Sequence, residues 1–209
     1  MQQILNVRKT LVAGSLLLAM SNVASAASEQ FVVSVTTLDD VSILEVNALS
    51  YGTNVFIDAG GECTMEASAP GATVLQMDDA SAAANYGDIA GTGCVDTTGQ
   101  QPGEFRVTGL GGQDVTITIG STSGGDYTFA PVGAYAIHDG STAGDTLGTY
   151  TTAQAAAGVT TPLASSSDVG LTVAANQLMF TVGGTITIGG TPLVADQLYN
   201  DTYPVTVVY

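Results

Sequence analysis

Leu178-Met179-Phe180-Thr181-Val182-Gly183-Gly184-Thr185-Ile186-Thr187-Ile188 is the stretch that decides the fold class of this 209-residue chain. It holds two runs, Leu178 to Val182 and Thr185 to Ile188, in which apolar residues recur with a period of two, the mark of half-buried strands. The Gly184-Thr185 step between them reads as a hairpin turn, where glycine supplies a positive φ that other residues resist.

The same pattern recurs on either side. Phe31 to Thr37, Val115 to Ile119 and Val205 to Tyr209 are equally plain strands. Weaker ones cover Ile43 to Tyr51, Asn54 to Asp58, Thr73 to Met77, Glu104 to Thr108, Tyr127 to Phe129 and Val169 to Val173. Gly111-Gly112 is a second turn between strand-like runs. Helix signals are confined to two Ala-rich pieces, Ala80 to Asn85 and Thr152 to Ala157, each one or two turns at most. About ten short strands with glycine-rich turns predict an all-β chain, an immunoglobulin-like or Greek-key β-sandwich of antiparallel strands.

Residues 1–26 predict export. Arg8 and Lys9 precede the apolar run Leu11 to Met20, and Ser21-Asn22-Val23-Ala24-Ser25-Ala26 supplies an A-x-A cleavage site. The apolar run is about half the roughly 20 residues that span a bilayer, so the reading is a signal peptide cut after Ala26 and no membrane insertion. About 183 residues remain, a size that suits one β-sandwich domain over 27–209. The expected location is outside the cell or on the surface of a bacterium, reached through the periplasm.

The mature chain keeps Arg106 as its only basic residue against 19 Asp plus Glu, a side-chain charge of 1 − 19 = −18. Nucleic acid is excluded as a partner, because binding a phosphate backbone depends on Lys and Arg displacing counterions. Cys63 and Cys94 in an exported chain predict a disulfide. A loop of about 32 residues closed this way is worth roughly 3.5 to 4 kcal/mol in the chain-entropy account.

Enzyme signatures are weak. His138, followed by Asp139, is the single histidine, and a lone His-Asp pair without a nucleophile motif reads as a solvent-facing turn. Gly120-Ser121-Thr122-Ser123-Gly124 puts Thr where the nucleophile elbow needs Ser. Asp96-Thr97-Thr98-Gly99 has no second copy and reads as a turn. The chain is therefore expected to have no catalytic residue. One histidine and two distant cysteines cannot form a zinc site. Calcium could gather at Asp78, Asp79 and Asp88, or at Asp139 and Asp145, although neither cluster has EF-hand spacing and a solvated acidic face is the simpler reading. Asn200-Asp201-Thr202 matches a glycosylation triplet by chance in a chain of bacterial character.

Both ends of the mature chain read as strands. Phe31, Val33 and Val35 share one face, as do Val205, Val207 and Tyr209. A seven-residue first strand reaches about 23 Å at roughly 3.3 Å per residue, long enough to complete a neighbour's sheet. It could equally close its own sandwich, and the residues leave that choice open.

Leu49-Ser50-Tyr51-Gly52, Phe105-Arg106-Val107-Thr108-Gly109 followed by Val115 to Ile119, Val182 to Ile188, and Val205-Thr206-Val207-Val208-Tyr209 stand in an order that resembles a family of secreted bacterial proteins. That family is the domain of unknown function numbered four-four-zero-two, and the resemblance runs from Ala27 to Tyr209. Two departures stand out: Gln197 replaces a glycine of the pattern, and Cys63 and Cys94 are outside it. The resemblance implies a glycine-rich sandwich and brings no established enzyme activity with it; its build is similar to that of chaperone-usher-type pilus subunits and spore-coat-like proteins. It leads to an expectation of a structural subunit of an extracellular filament or surface layer, partnered by other copies or surface subunits and assisted by a periplasmic chaperone. The rival reading is a self-complete cell-surface binding or adhesion module, aided by calcium.

Overall fold

The computed structural model describes residues 40–53, 55, 58–67, 85–95, 99–123, 125–137, 146–165 and 175–209, all inside one compact unit, Leu38–Tyr209. In chain order the elements are β1 (Ser42–Asn47), β2 (Glu62–Met65), β3 (Ile89–Ala90), β4 (Gly103–Thr108), β5 (Asp114–Ile119), β6 (Thr122–Ser123), β7 (Tyr127–Ile137), β8 (Thr146–Tyr150), α1 (Thr152–Ala157), β9 (Val159–Pro162), β10 (Gln177–Ile188) and β11 (Val205–Val208). Every strand pair is antiparallel, in an eight-stranded and a three-stranded sheet. The protein is an all-β sandwich with one disulfide.

The central element is β10, twelve residues and so about 40 Å long. Along one edge its first half pairs with β4 and its second half with β2. The other edge pairs with β7 from Phe180 to Ile188. The outer neighbour of β7 changes in the same way, from β8 at residues 133–137 to β6 at residues 128–129. Both exchanges occur at one level, where Gly183 and Gly184 face Val132 and Pro131. Proline there forgoes no ladder bond on its outer side, since β6 and β8 leave that level unpaired. Gly184 has φ 137°, and a Cβ on it would collide with the carbonyl oxygen of Ala130.

Packing explains the composition of β10. On one face Phe180 stacks on Phe105 directly across the ladder, with ring centroids 4.9 Å apart. Leu178 and Val182 join them in the same core as Val115, Ile117 and Ile119 of β5 and Val207 of β11. The opposite face is also covered. The Thr181 hydroxyl donates to the Ala67 carbonyl at 2.6 Å and accepts from the Ala134 N–H at 3.0 Å, while the Tyr150 hydroxyl donates to the Thr181 carbonyl. Past the glycines, Ile186 and Ile188 are buried and Thr185 and Thr187 half-buried, which is the usual alternation of a sheet with one wet face.

The small sheet, in order β11-β5-β9, is fed by α1, whose Thr151 and Gln154 form a reciprocal capping box. Ala164 then joins the sheets by accepting from the Asn176 N–H and donating to the Gln177 carbonyl. Cys63 on β2 and Cys94 form the disulfide at a Cα separation of 5.3 Å, and Cys94 bridges to Val55.

Several sequence expectations need correction. Gly184-Thr185 is no hairpin: β10 runs straight through it, because partner exchange and not chain reversal is what requires glycine there. Gly111-Gly112 does turn, with φ 76° at Gly112, but it links β4 to β5 in different sheets. Tyr127 to Phe129 is only the start of an eleven-residue β7, which Pro131 hides from a propensity reading. From Asn54 to Asp58, Val55 makes one isolated bridge and Asp58 lies outside any strand. β2, β3, β6, β8 and β9 were missed, being short or rich in Thr, Gly or Cys. Thr73 to Met77 and Val169 to Val173 lie outside the described residues.

If the Phe105–Phe180 stack organises the core, Phe180→Ala should lower unfolding free energy in urea by about 3–5 kcal/mol. The Cys63→Ser/Cys94→Ser double variant should lower it by roughly 2–5 kcal/mol.

Candidate functional site

Below the level of the two glycines, the inner face of β7 and β10 meets loop 189–204 across a cavity of about 620 Å³. That volume lies within the 300–1,000 Å³ typical of small-molecule sites. Phe129, Ile186 and Ile188 supply an apolar floor. Tyr203 packs on Phe129 with ring centroids 5.3 Å apart and meets Phe105 edge-on at 6.4 Å, so the floor is continuous with the core stack.

Tyr51, Tyr127, Tyr199 and Tyr203 stand in the remaining walls, and two of them are held by their hydroxyls. Tyr51 donates to the Gly184 carbonyl at 2.6 Å, which ties the wall to the glycine level. Tyr199 accepts from the Val194 N–H at 2.7 Å and so closes its own loop. At the mouth, Asp201 accepts from the Thr122 hydroxyl and from the Thr202 N–H, the latter at 2.8 Å. These hydrogen bonds hold its carboxyl below the ordinary range. Burial pushes the Tyr127 hydroxyl up, with Asp201 and then Asp126 adding to the effect. Asp196 also lines the cavity, and Val194 and Leu198 on the same loop are 59% and 85% exposed.

A second polar cluster lies on the other face of β4. Glu104, 3% exposed, accepts from the Tyr86 hydroxyl at 2.8 Å and from the side-chain amide of Asn47. A buried carboxylate needs such donors to offset its desolvation. The cluster fastens the turn at residues 85–87 and the end of β1 to the sheet. It is enclosed, and its arrangement is structural.

The residues singled out from sequence are dispersed. Cys63 and Cys94 are joined as expected. Val207 is buried and Val205 half-buried on β11, while Tyr209 follows the strand and accepts from the Leu110 N–H at 2.6 Å. Asp88 sits beside β3, its carbonyl accepting from the Glu66 N–H. Phe31, Val33, Val35, Asp78, Asp79, His138, Asp139 and Asp145 lie outside the described residues, as do Asp96 to Thr98. Among the described residues no group of three or more His, Cys, Asp or Glu could hold a metal ion, and no helix is long and apolar enough to cross a membrane. Thr122 of the failed elbow motif instead lies on β6 and anchors Asp201.

The tyrosine wall was missed because its members are 152 residues apart in the chain, from Tyr51 to Tyr203. Only the clustering of Tyr199, Asp201 and Tyr203 was visible as a local signal. No protein-family model, curated protein or solved structure matches the chain.

Burial pushes the hydroxyls of Tyr51, Tyr86, Tyr150 and Tyr203 well above the ordinary tyrosine range. A group whose folded pKa is raised keeps more protons in the native state, so stability holds below about pH 10 and falls as pH rises above it. Absorbance titration should show these four tyrosines ionising only together with loss of the folded circular dichroism signal.

Proposed function

We propose that the protein is a structural subunit of an extracellular filament or surface layer, without catalytic activity, joined to its neighbours by donation of the strand Phe31 to Thr37. The observation that carries this reading is the edge of the large sheet. Among the described residues β1 pairs only with β4, and its side chains are exposed along almost its whole length. Ile43, Leu44 and Val46 are 39%, 59% and 40% exposed, an apolar edge that a monomer has reason to protect. A bulge between Glu45 and Asn47 leaves Ser42 to Glu45 as the regular register for an added strand.

The donor precedes this edge by only four residues, Leu38 to Val41. That linker could fold the strand back as a hairpin in the same molecule, or lead it to the next copy. The charge of −18 on the mature chain and the export signal support a role outside the cell. So does the motif order shared with the secreted bacterial family, whose resemblance implies a similar build. The disulfide fits an oxidising compartment.

Residues 27–209 should form regular polymers in negative-stain microscopy and a high-mass species in light scattering after size exclusion. Val33→Asp should yield monomer that keeps the folded circular dichroism spectrum. Polymer from Val33→Asp indistinguishable from wild type, or a wild-type chain that stays monomeric at all concentrations, would sink strand donation.

A further inference from the structure

We propose that the cavity between loop 189–204 and the β7–β10 face binds an organic cation with an apolar body, of the quaternary ammonium class. This goes beyond a filament role and does not depend on it. Three features of the cavity converge on that chemistry.

The first is its charge. Asp196 and Asp201 lie on its lining, and no Lys, Arg or His does. Arg106, the only basic residue after Lys9, lies on β4 across the ladder from Met179 and Leu44. Anionic ligands are therefore repelled and cations attracted. The second feature is the aromatic lining: Tyr51, Tyr127, Tyr199 and Tyr203 border the cavity, and aromatic rings attract a cation through the ring quadrupole.

The third is what the polar atoms are already doing. Tyr51 donates to the Gly184 carbonyl, the Tyr199 hydroxyl accepts from the Val194 N–H, and the two oxygens of Asp201 accept from Thr122 and Thr202, one each; the Tyr203 hydroxyl, buried without a partner, is the exception. A neutral sugar would need these atoms as directional partners. A quaternary ammonium needs none, since it donates no hydrogen bond and asks only for π faces and net negative charge. The apolar floor of Phe129, Ile186 and Ile188 accounts for the body of the ligand.

Choline and 3,3-dimethylbutan-1-ol have the same shape and differ by one charge, which makes them the decisive pair. Titration calorimetry on the mature chain, in whatever assembly it adopts, should give choline at least about tenfold tighter binding than the alcohol, within the range of desolvated cation–π contacts. Intrinsic tyrosine emission should report the same event, since the chain has no Trp. Asp201→Asn and Tyr127→Leu should each weaken choline about fivefold or more. Asp196→Asn, which leaves the Thr122 bond intact, should weaken it as well, so that loss of binding is not mistaken for loss of the loop. Unchanged melting temperatures show that each variant is folded. Equal affinity for choline and the alcohol, tighter binding of methyl glucoside than of choline, or no heat with choline at all would each overturn the assignment. Polymer formation is read separately, so failure here leaves the filament proposal standing.

Discussion

The constraint on which the rest of this protein depends is the level at which Gly183 and Gly184 face Val132 and Pro131. Two adjacent strands exchange their outer partners there together, and one continuous pair thereby serves two half-sheets. A Cβ on Gly184 has no place in that arrangement, and residue 131 needs no N–H in it. Above the level, β10 is covered on both faces and carries Leu178 to Val182 as an unbroken buried run. Below it, one face is only partly covered, and the chain lays loop 189–204 across the gap.

The two proposed surfaces follow from this division. The cavity exists because the lower half-sheet is roofed by a loop and not by a third sheet, and Tyr51 locks that roof's far wall to the Gly184 carbonyl. The open edge exists because the upper half-sheet ends at β1, which no other described strand covers. One is concave, aromatic and acidic, whereas the other is a flat line of unpaired backbone with apolar side chains. They therefore call for different partners, a small cation and an extended peptide.

Much of the fold was legible because period-two patterning reports burial on one face, and β4, β5, β11 and the second half of β10 are of that kind. Thr152 to Ala157 was legible as a single short helix, with Thr151 and Gln154 ready to cap it. What misled was chemistry with two physical meanings. A glycine pair permits a reversal, and it equally permits close approach of a neighbouring carbonyl, as at Gly184 and Ala130. Proline ends most strands yet is harmless at the one unpaired level of β7. The cavity was illegible for a different reason: its tyrosines come from β7 and two distant loops, and only the fold brings them together. The disulfide could be read from compartment and count alone.

Arg106 has a consequence of another kind. Among the described residues it is the single position that a trypsin-like protease can recognise, and it lies inside β4, hydrogen-bonded between β1 and β10 with its Nε shielded from solvent. A protease must draw several residues of extended chain into its cleft, which means stripping a strand from the middle of a sheet. With no lysine among them, the described residues offer such enzymes only a site held within a sheet. Resistance to such proteases is thus tied to where one cation sits.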